Sequence, residues 1–440
     1  MPARLKAFFC GILAACMAAV FASAKEVYAG DEAAAGLLIA ENADAGIFSL
    51  TIKSGRRLDL DKVYIAAESV YPHLFSLLYN PGYNTELSLT LQTYEQDMES
   101  ETVLEAKRVI GEIITPGMTT AERAEAIGRY IADVCEYDEA AAKDAQNAPD
   151  EPFTAYGALI DRKAVCSGYS RAYSILCNMA NVPCVFISSP SVNHAFNAVS
   201  IYGNILYTDV TYEDAYGSAE EGSEETYVLI PAEEMKKDHE WDDGLIRRMV
   251  SFMYSDSYYD ALKLYDLGLL KGNGSDFGLD RAMTRAEAAV MFVRLLGREA
   301  EALEANAGHP FTDVPSWADP YVGYLYQKGL AKGISQTLFG ASSLTGFNDF
   351  LTFGLRSLGY AEGRDFLWSG AEAFALKTGA AEKRELSSGG NDKFLRSDAV
   401  KISLSLLSAG LKDEPGTTLC DLLIENGAVT EKTAEEVGLQ

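Results

Sequence analysis

The chain has 440 residues, too many for one ordinary hydrophobic core, so two or three domains are expected. Its 48% hydrophobic content excludes a disordered chain. With 64 acidic against 37 basic residues the formal charge is −27, which leaves no sustained basic stripe; nucleic acid is excluded as a partner, and any anionic ligand needs a local basic pocket.

Residues 1–24 read as a secretory signal. Arg4 and Lys6 precede an apolar run over 7–21, and Ala22, Ser23 and Ala24 supply small residues for cleavage. The run is too short for a membrane span. Leu13-Ala14-Ala15-Cys16 resembles a lipoprotein cleavage box, but the apolar run continues past Cys16, which favours cleavage near Ala24. No later segment reads as transmembrane. Of seven cysteines, Cys10 and Cys16 leave with the signal. Cys135, Cys166, Cys177, Cys184 and Cys420 remain, and an odd number leaves at least one thiol unpaired, with Cys166 the natural candidate. Cys177 and Cys184 are either a bridge or small buried hydrophobes, and sparse cysteine usage favours the second.

Residues 47–52 predict a strand, 62–78 a helix and 87–94 an alternating strand. A helical pattern over 102–114 ends at Pro116-Gly117, and Thr119 or Thr120 caps the next helix, which runs to about Cys135. Residues 140–152 are polar and Ala-rich, as in a loop. Residues 167–180 are helical, since Tyr169, Tyr173, Leu176 and Ala180 recur at spacings of three and four. A short strand follows at 184–188. Residues 194–201 and 205–210 are two strands joined at Tyr202-Gly203-Asn204, a hairpin signal. The densest acidic stretch, 213–243, reads as a solvated loop.

Cys166, His194 and Asp209 carry the chemistry. A thiol, an imidazole and a carboxylate are the groups needed to make and orient a sulfur nucleophile. Cys166 falls at a helix start, where the dipole and free backbone N–H groups favour the thiolate, and Ser167 and Gly168 leave its approach uncrowded. With Tyr202-Gly203 as a two-residue loop, Asp209 stands opposite Phe196. His194 is then its diagonal neighbour on the same face, about 7–8 Å away between Cα atoms. A one-residue slip would separate the pair. Singly, each residue has a packing or surface explanation; their order, the helix-start thiol and the shared face favour catalysis jointly. No His-Glu-x-x-His or Cys-x-x-Cys pair is present, so no metal and no cofactor are expected.

Tyr156-Gly157-Ala158-Leu159, Lys163 to Ser170, His194-Ala195-Phe196-Asn197 and Asp209-Val210-Thr211-Tyr212 resemble the bacterial transglutaminase-like superfamily, over roughly 103–214. Tyr71-Pro72-His73-Leu74-Phe75 resembles more weakly the segment that precedes this core in secreted members. The resemblance implies a papain-like α+β core with an antiparallel sheet. It makes Cys166 the nucleophile, His194 the general base and acid, and Asp209 the orienting carboxylate, and it sets Tyr156 either near the oxyanion or in the core. The family commonly has Trp where Phe196 stands. A thioester with an acyl donor is common to the family, and water or an amine then decides between hydrolysis and cross-linking; many bacterial relatives favour hydrolysis.

From about Tyr258 the character changes. Leu267-Gly268-Leu269-Leu270-Lys271-Gly272 recurs 61 residues later as Lys328-Gly329-Leu330-Ala331-Lys332-Gly333. Thr284 and Thr345 each precede a helical apolar pattern, and a worn third copy spans 366–409, with Leu395-Arg396-Ser397-Asp398 in place of Thr284-Arg285-Ala286-Glu287. Such units bury their faces against neighbours. Met283 to Glu287 and Phe311 to Ala318 resemble S-layer homology modules, which come in threes and hold a protein to anionic cell-wall polysaccharide. The resemblance makes Arg285 and Arg396 wall-binding arginines and Trp317 a groove aromatic. Gly346-Phe347-Asn348 stands where Arg-Ala-Glu is expected, so the second pocket is lost.

The expected organisation is a signal over 1–24, an N-terminal α/β region over 25–102, a catalytic domain over 103–245, all-α repeats over 246–410 and a tail over 411–440. The expected function is a secreted, wall-tethered, cysteine-dependent acyl-transfer enzyme of a Gram-positive type envelope, acting on protein, peptide or peptidoglycan-stem amides. The alternative is a non-catalytic surface-layer module that keeps the fold.

Overall fold

A computed structural model describes residues 25–71, 74–78, 83–93, 96–217, 226–272, 277–383 and 393–440. The expected signal, Pro72 and His73 lie outside the described residues. The chain divides near residue 255 into two compact units. The architecture is a mixed α/β unit with antiparallel pairing followed by a helical one.

The first unit opens with β1 (Lys25–Tyr28), α1 (Glu32–Asp44), β2 (Ser49–Asp59), α2 (Leu60–Val70), β3 (Leu74–Leu78) and β4 (Tyr83–Thr93). Its sheet has the order β1-β2-β4-β3, with β1 and β2 parallel and the other pairs antiparallel. The expected helix over 62–78 is too long. It stops at Val70, because Pro72 disfavours helical geometry at the residue before it, and Tyr71 is extended at φ −126°. Leu50, Ile52, Val63 and Ala66 pack with Ile39 of α1 in a core.

The rest of this unit starts with α3 (Gln96–Ile113) and α4 (Thr120–Val134); of the two expected cap candidates Thr119 takes the cap, in a capping box with Glu122. β5 (Glu136–Tyr137) pairs with β6 (Lys163–Ala164) across α5 (Glu139–Lys143), a short helix inside the expected loop. α6 (Cys166–Met179) is the central element: Gly168 to Cys177 are all buried. β7 (Cys184–Ser189), β8 (His194–Ile201) and β9 (Asn204–Thr208) form an antiparallel sheet against it, with Asn197 donating to Ser170 O and Ser174 Oγ. Ile201 pairs with Asn204, so Tyr202 and Gly203 form the expected two-residue turn, both at positive φ. Then come α7 (Val210–Tyr212), α8 (Ala232–Met235) and α9 (Asp243–Met253).

The acidic stretch is not merely a solvated loop. Ile230 bridges Tyr207, and Met235 and His239 are buried. A buried ion pair, Arg171 of α6 to Glu68 of α2 at 2.5 Å, ties the helix that carries Cys166 to the N-terminal part. The guanidinium also stacks 4.7 Å from the Phe186 ring.

The second unit contains α10 (Asp256–Asp266), α11 (Arg285–Leu295), α12 (Glu299–Ala305), α13 (Asp319–Gln327), α14 (Phe347–Ser357), α15 (Ala371–Thr378), α16 (Arg396–Ser408), α17 (Leu419–Glu425) and α18 (Glu431–Glu436). α11, α14 and α16 start alike. A carboxylate in the first turn (Glu287, Asp349, Asp398) accepts from the backbone N–H at the cap (Thr284, Gly346, Leu395). The second copy therefore carries one extra residue: Gly346 takes the cap, and Phe347, not Gly346, stands where Arg285 and Arg396 stand. Residues 411–440 are no loose tail, since Leu419, Cys420, Leu423, Ala434 and Val437 are buried.

Candidate active site

Cys166 is the first residue of α6, with Val165 extended ahead of it and no side chain capping the N–H groups. Gly168 lies on the buried side of the helix start. A Cβ there would come within 2.6 Å of Pro152 O and 2.8 Å of Thr154 O. Gly168 thus allows close packing beneath the thiol, which corrects the expectation that it clears the approach above it.

The hairpin delivers the other two groups. Extending the pairing of Asn197 with Thr208 by one residue sets Asp209 level with Phe196, as the parity argument predicts. The His194 Nε2 donates to Asp209 Oδ2 at 2.5 Å. That leaves Nδ1 for the thiol, and the Cys166 side chain is close enough to be among the groups that raise the ring's pKa. Burial disfavours the imidazolium, but Asp209 and Cys166 outweigh it and raise the His194 pKa to about 10.

Asp209 has no exposed surface. Burial alone would raise its pKa, yet hydrogen bonds from His194 and His239 hold it below the ordinary carboxylate value. Its Oδ1 accepts from the backbone N–H groups of Thr211 and Tyr212 at 2.9 and 3.2 Å, so Asp209 is also the cap of α7.

His239 is a residue that sequence reasoning missed. Its Nε2 donates to the same Asp209 Oδ2 at 2.8 Å, and its Nδ1 lies 2.5 Å from Asp238 Oδ1. Phe196, Tyr212 and His194 surround the ring at centroid distances of 4.9, 4.8 and 5.3 Å. The available signal was rarity: the chain has four histidines, and two meet on one carboxylate.

Phe196, the departure from the family pattern, is buried; Trp241 packs edge-on to it at 5.7 Å. Trp241 also lines a cavity of about 230 Å³ with Ile65, Ile187, Ser189, Pro190 and Ile246. Ser189 pairs directly with His194, so this cavity adjoins the strand end that bears the imidazole. Tyr156 is engaged elsewhere: its hydroxyl donates to Glu101 at 3.1 Å. Cys135, Cys177, Cys184 and Cys420 are buried and unbridged. Burial is the main cause that raises the Cys135 pKa to about 11 and the Cys177 pKa well above the ordinary value, so neither is a ready nucleophile.

His194, Asp209 and His239 offer three donor atoms within 4.8 Å of one another, a set of the right types for a transition metal. Two ligands of one tetrahedral zinc at about 2.1 Å stand about 3.4 Å apart. The observed 2.5 and 2.8 Å contacts to Oδ2 are hydrogen-bond distances instead.

In the second unit Arg285 is largely buried. Its Nε and Nη2 donate to the carbonyls of Phe339 and Lys332 at 3.0 and 2.9 Å, and its guanidinium lies 4.9 Å from the Phe339 ring. Arg396 repeats the arrangement on Phe277 O and Lys271 O at 2.8 and 3.4 Å. Trp317 is 54% exposed.

The transglutaminase-like superfamily model matches residues 107–218, and the S-layer homology domain model matches residues 254–289 and 310–343. The chain carries a transglutaminase-like domain followed by S-layer homology motifs. A cell surface protein of Thermoanaerobacter kivui is 35% identical over 104 residues, covering 23% of this chain and 14% of the relative. A middle cell wall protein of Brevibacillus brevis is 30% identical over 119 residues, covering 26% and 11%. A surface layer protein of Brevibacillus choshinensis is 33% identical over 109 residues, covering 24% and 10%. The matches thus span about a seventh or less of these relatives' length. A solved structure described as a TGase aligns over 44% of this chain and 56% of its own, at 13% identity and a TM-score of 0.23. Among the described residues, no helix is long and apolar enough to cross a membrane.

Proposed function

We propose that this chain is a secreted, wall-tethered cysteine enzyme that cleaves amide bonds of protein, peptide or peptidoglycan-stem substrates by acyl transfer. One observation carries the reading: a single imidazole, His194, bonds a buried carboxylate and lies close enough to a helix-start thiol for that thiol to raise its pKa. His194 takes the Cys166 proton, and the thiolate attacks the amide carbonyl carbon. The tetrahedral intermediate collapses as the His194 imidazolium protonates the departing amine, leaving a thioester on Cys166. Water, deprotonated by His194, then attacks the thioester and releases acid and thiol; an amine in place of water gives a cross-link. Asp209 keeps the ring oriented and offsets the imidazolium charge throughout.

The S-layer homology motifs and the surface and cell-wall names of the relatives support a place at the cell wall. Anionic wall polysaccharide is the proposed ligand. Trp317 offers it an exposed ring, whereas Arg285 and Arg396 each give two N–H groups to loop carbonyls and serve binding through the loops they hold.

The test is incubation of the full chain with stem peptides, with and without an added primary amine. The expected result is amide cleavage with a mass-detectable acyl adduct on Cys166, absent in Cys166→Ala. Equal turnover by Cys166→Ala would remove Cys166 from the chemistry, and no turnover and no adduct on any amide substrate would favour the non-catalytic surface module. Arg285→Ala is expected to weaken binding to purified walls; unchanged binding would remove that residue from the wall site.

A further inference from the structure

Asp209 accepts more hydrogen bonds than a three-residue relay needs. Oδ1 takes two backbone N–H groups, and Oδ2 takes an imidazole from each side. The outer imidazole, His239, has a carboxylate at both nitrogens: Asp209 on Nε2 and Asp238 on Nδ1. Ionised carboxylates only accept, so both nitrogens of His239 carry hydrogen and the ring is an imidazolium. Burial opposes that charge, but the two carboxylates outweigh it and raise the pKa above the ordinary histidine value. The ring is 2% exposed, so water does little to screen it.

We propose that His239 is a positioning residue of the proposed triad: clamped between Asp209 and Asp238, it fixes the Asp209 carboxylate and holds a positive charge beside His194. The inference rests on the enzymatic reading of Cys166, His194 and Asp209. The groups that face the ring are Asp209, Asp238, His194, Tyr212 and Tyr227. Tyr227 reaches it at 6.3 Å and also donates its hydroxyl to Asp238 Oδ2 at 3.1 Å. Asp238 is thereby held in place on its outer side.

The sign of the effect follows from charge. A second cation 5.3 Å from the His194 ring opposes a full imidazolium there and favours a thiolate beyond it. Removing the charge favours the protonated His194 ring and disfavours negative charge on the sulfur beyond it, so alkylation of Cys166 should require higher pH. A residue that only filled space would alter rates without moving the pH dependence.

The experiment compares full-length wild type, His239→Gln and His239→Ala. The first readout is the rate of iodoacetamide alkylation of Cys166 against pH, mapped by peptide mass, which needs no substrate. The second is kcat and KM on an amide substrate. Glutamine keeps a donor toward Asp209 and removes the charge. Its alkylation profile is expected to move to higher pH by about one to two units, with kcat within about tenfold of wild type. His239→Ala is expected to move the profile similarly and to lower kcat by about 10- to 100-fold at nearly constant KM. If alanine fails to fold, glutamine alone decides. A glutamine profile superimposed on wild type would overturn the proposal. So would zinc protection of Cys166 that chelator reverses and His239→Gln abolishes, because His194, Asp209 and His239 would then form a cation site. A His239→Gln profile shifted from wild type, with no turnover by the wild type, would sink the enzymatic reading and leave the coupling standing; wild-type turnover with superimposed profiles would do the reverse.

Discussion

Asp209 and Arg285 are both charges withdrawn from water and held by hydrogen bonds, and they differ in what holds them. Asp209 is held by two imidazoles, titratable groups whose pKa values it raises. Arg285 donates to two backbone carbonyls, which do not titrate, near the rings of Phe339 and Phe353, with the Asp349 carboxylate 3.7 Å from its remaining nitrogen. The first arrangement can store and release a proton. The second can only fix the geometry of a loop. The transglutaminase-like core thus carries its burial cost at a group that can change charge, and the repeats carry theirs at one that cannot.

The largest expected effect breaks the first arrangement. Asp209→Asn keeps the shape but replaces a two-oxygen acceptor by one oxygen and an N–H₂ donor. Nε2–H groups from His194 and His239 then compete for what remains. A loss of about 10³ to 10⁴ in kcat is expected, with a melting temperature that falls only modestly. Steady-state kinetics on the substrate that labels Cys166 measure it; a loss below about tenfold would remove Asp209 from the relay.

The pH dependence of stability separates the two regions next. The His194 pKa is raised from 6.5 to about 10 in the folded chain. A raised pKa stabilises the fold fully below the unfolded value, and that contribution is lost as pH climbs through the folded one. The first unit should therefore lose on the order of a few kcal/mol between about pH 6.5 and 10. Urea unfolding at stepped pH measures the slope, and Asp209→Asn should flatten it. The Arg285 contacts predict no comparable slope for the second unit in that range.

Arg285→Ala comes third. It strands the carbonyls of Lys332 and Phe339 and empties a site near two rings, so the repeat unit should lose about 2–4 kcal/mol. Arg285→Lys should recover little, because an ammonium lacks the planar fork that reaches both carbonyls. If the alanine variant unfolds in urea like wild type yet loses wall binding, the arginine contacts polymer directly and the clasp is secondary.

The legible parts of this molecule were those governed by short-range geometry. The two-residue turn at Tyr202-Gly203 dictates the strand register, and register placed His194 and Asp209 on one face. A threonine cap at 119 or 120 and the helix start at Cys166 were readable for the same local reason. His239 was not, because its position depends on a segment returning to the sheet through the bridge of Ile230 to Tyr207, inside a stretch whose charge suggested solvent. The cap of the second repeat helix was hidden because Gly346 has no side-chain oxygen; only the backbone bond from Asp349 marks it. The end of the helix at Val70 was legible in Pro72 but overridden by the apolar pattern beyond it.

The smallest stability effect probes how tightly the thiol's platform is built. Gly168→Ala would drive a Cβ to 2.6 Å from Pro152 O and 2.7 Å from the Ala164 Cβ, contacts that backbone must move to relieve. The expected cost is about 1–3 kcal/mol of stability. Because the shift falls two residues from Cys166, the sulfur moves relative to a ring held by Asp209. Misplacement of a reacting group by about 1 Å costs about 100-fold in rate. Activity should therefore fall much further than stability, which the ratio of kcat loss to the change in urea midpoint would register. Proportionate losses would mean that the helix start tolerates displacement and that the thiol is not held in a fixed geometry.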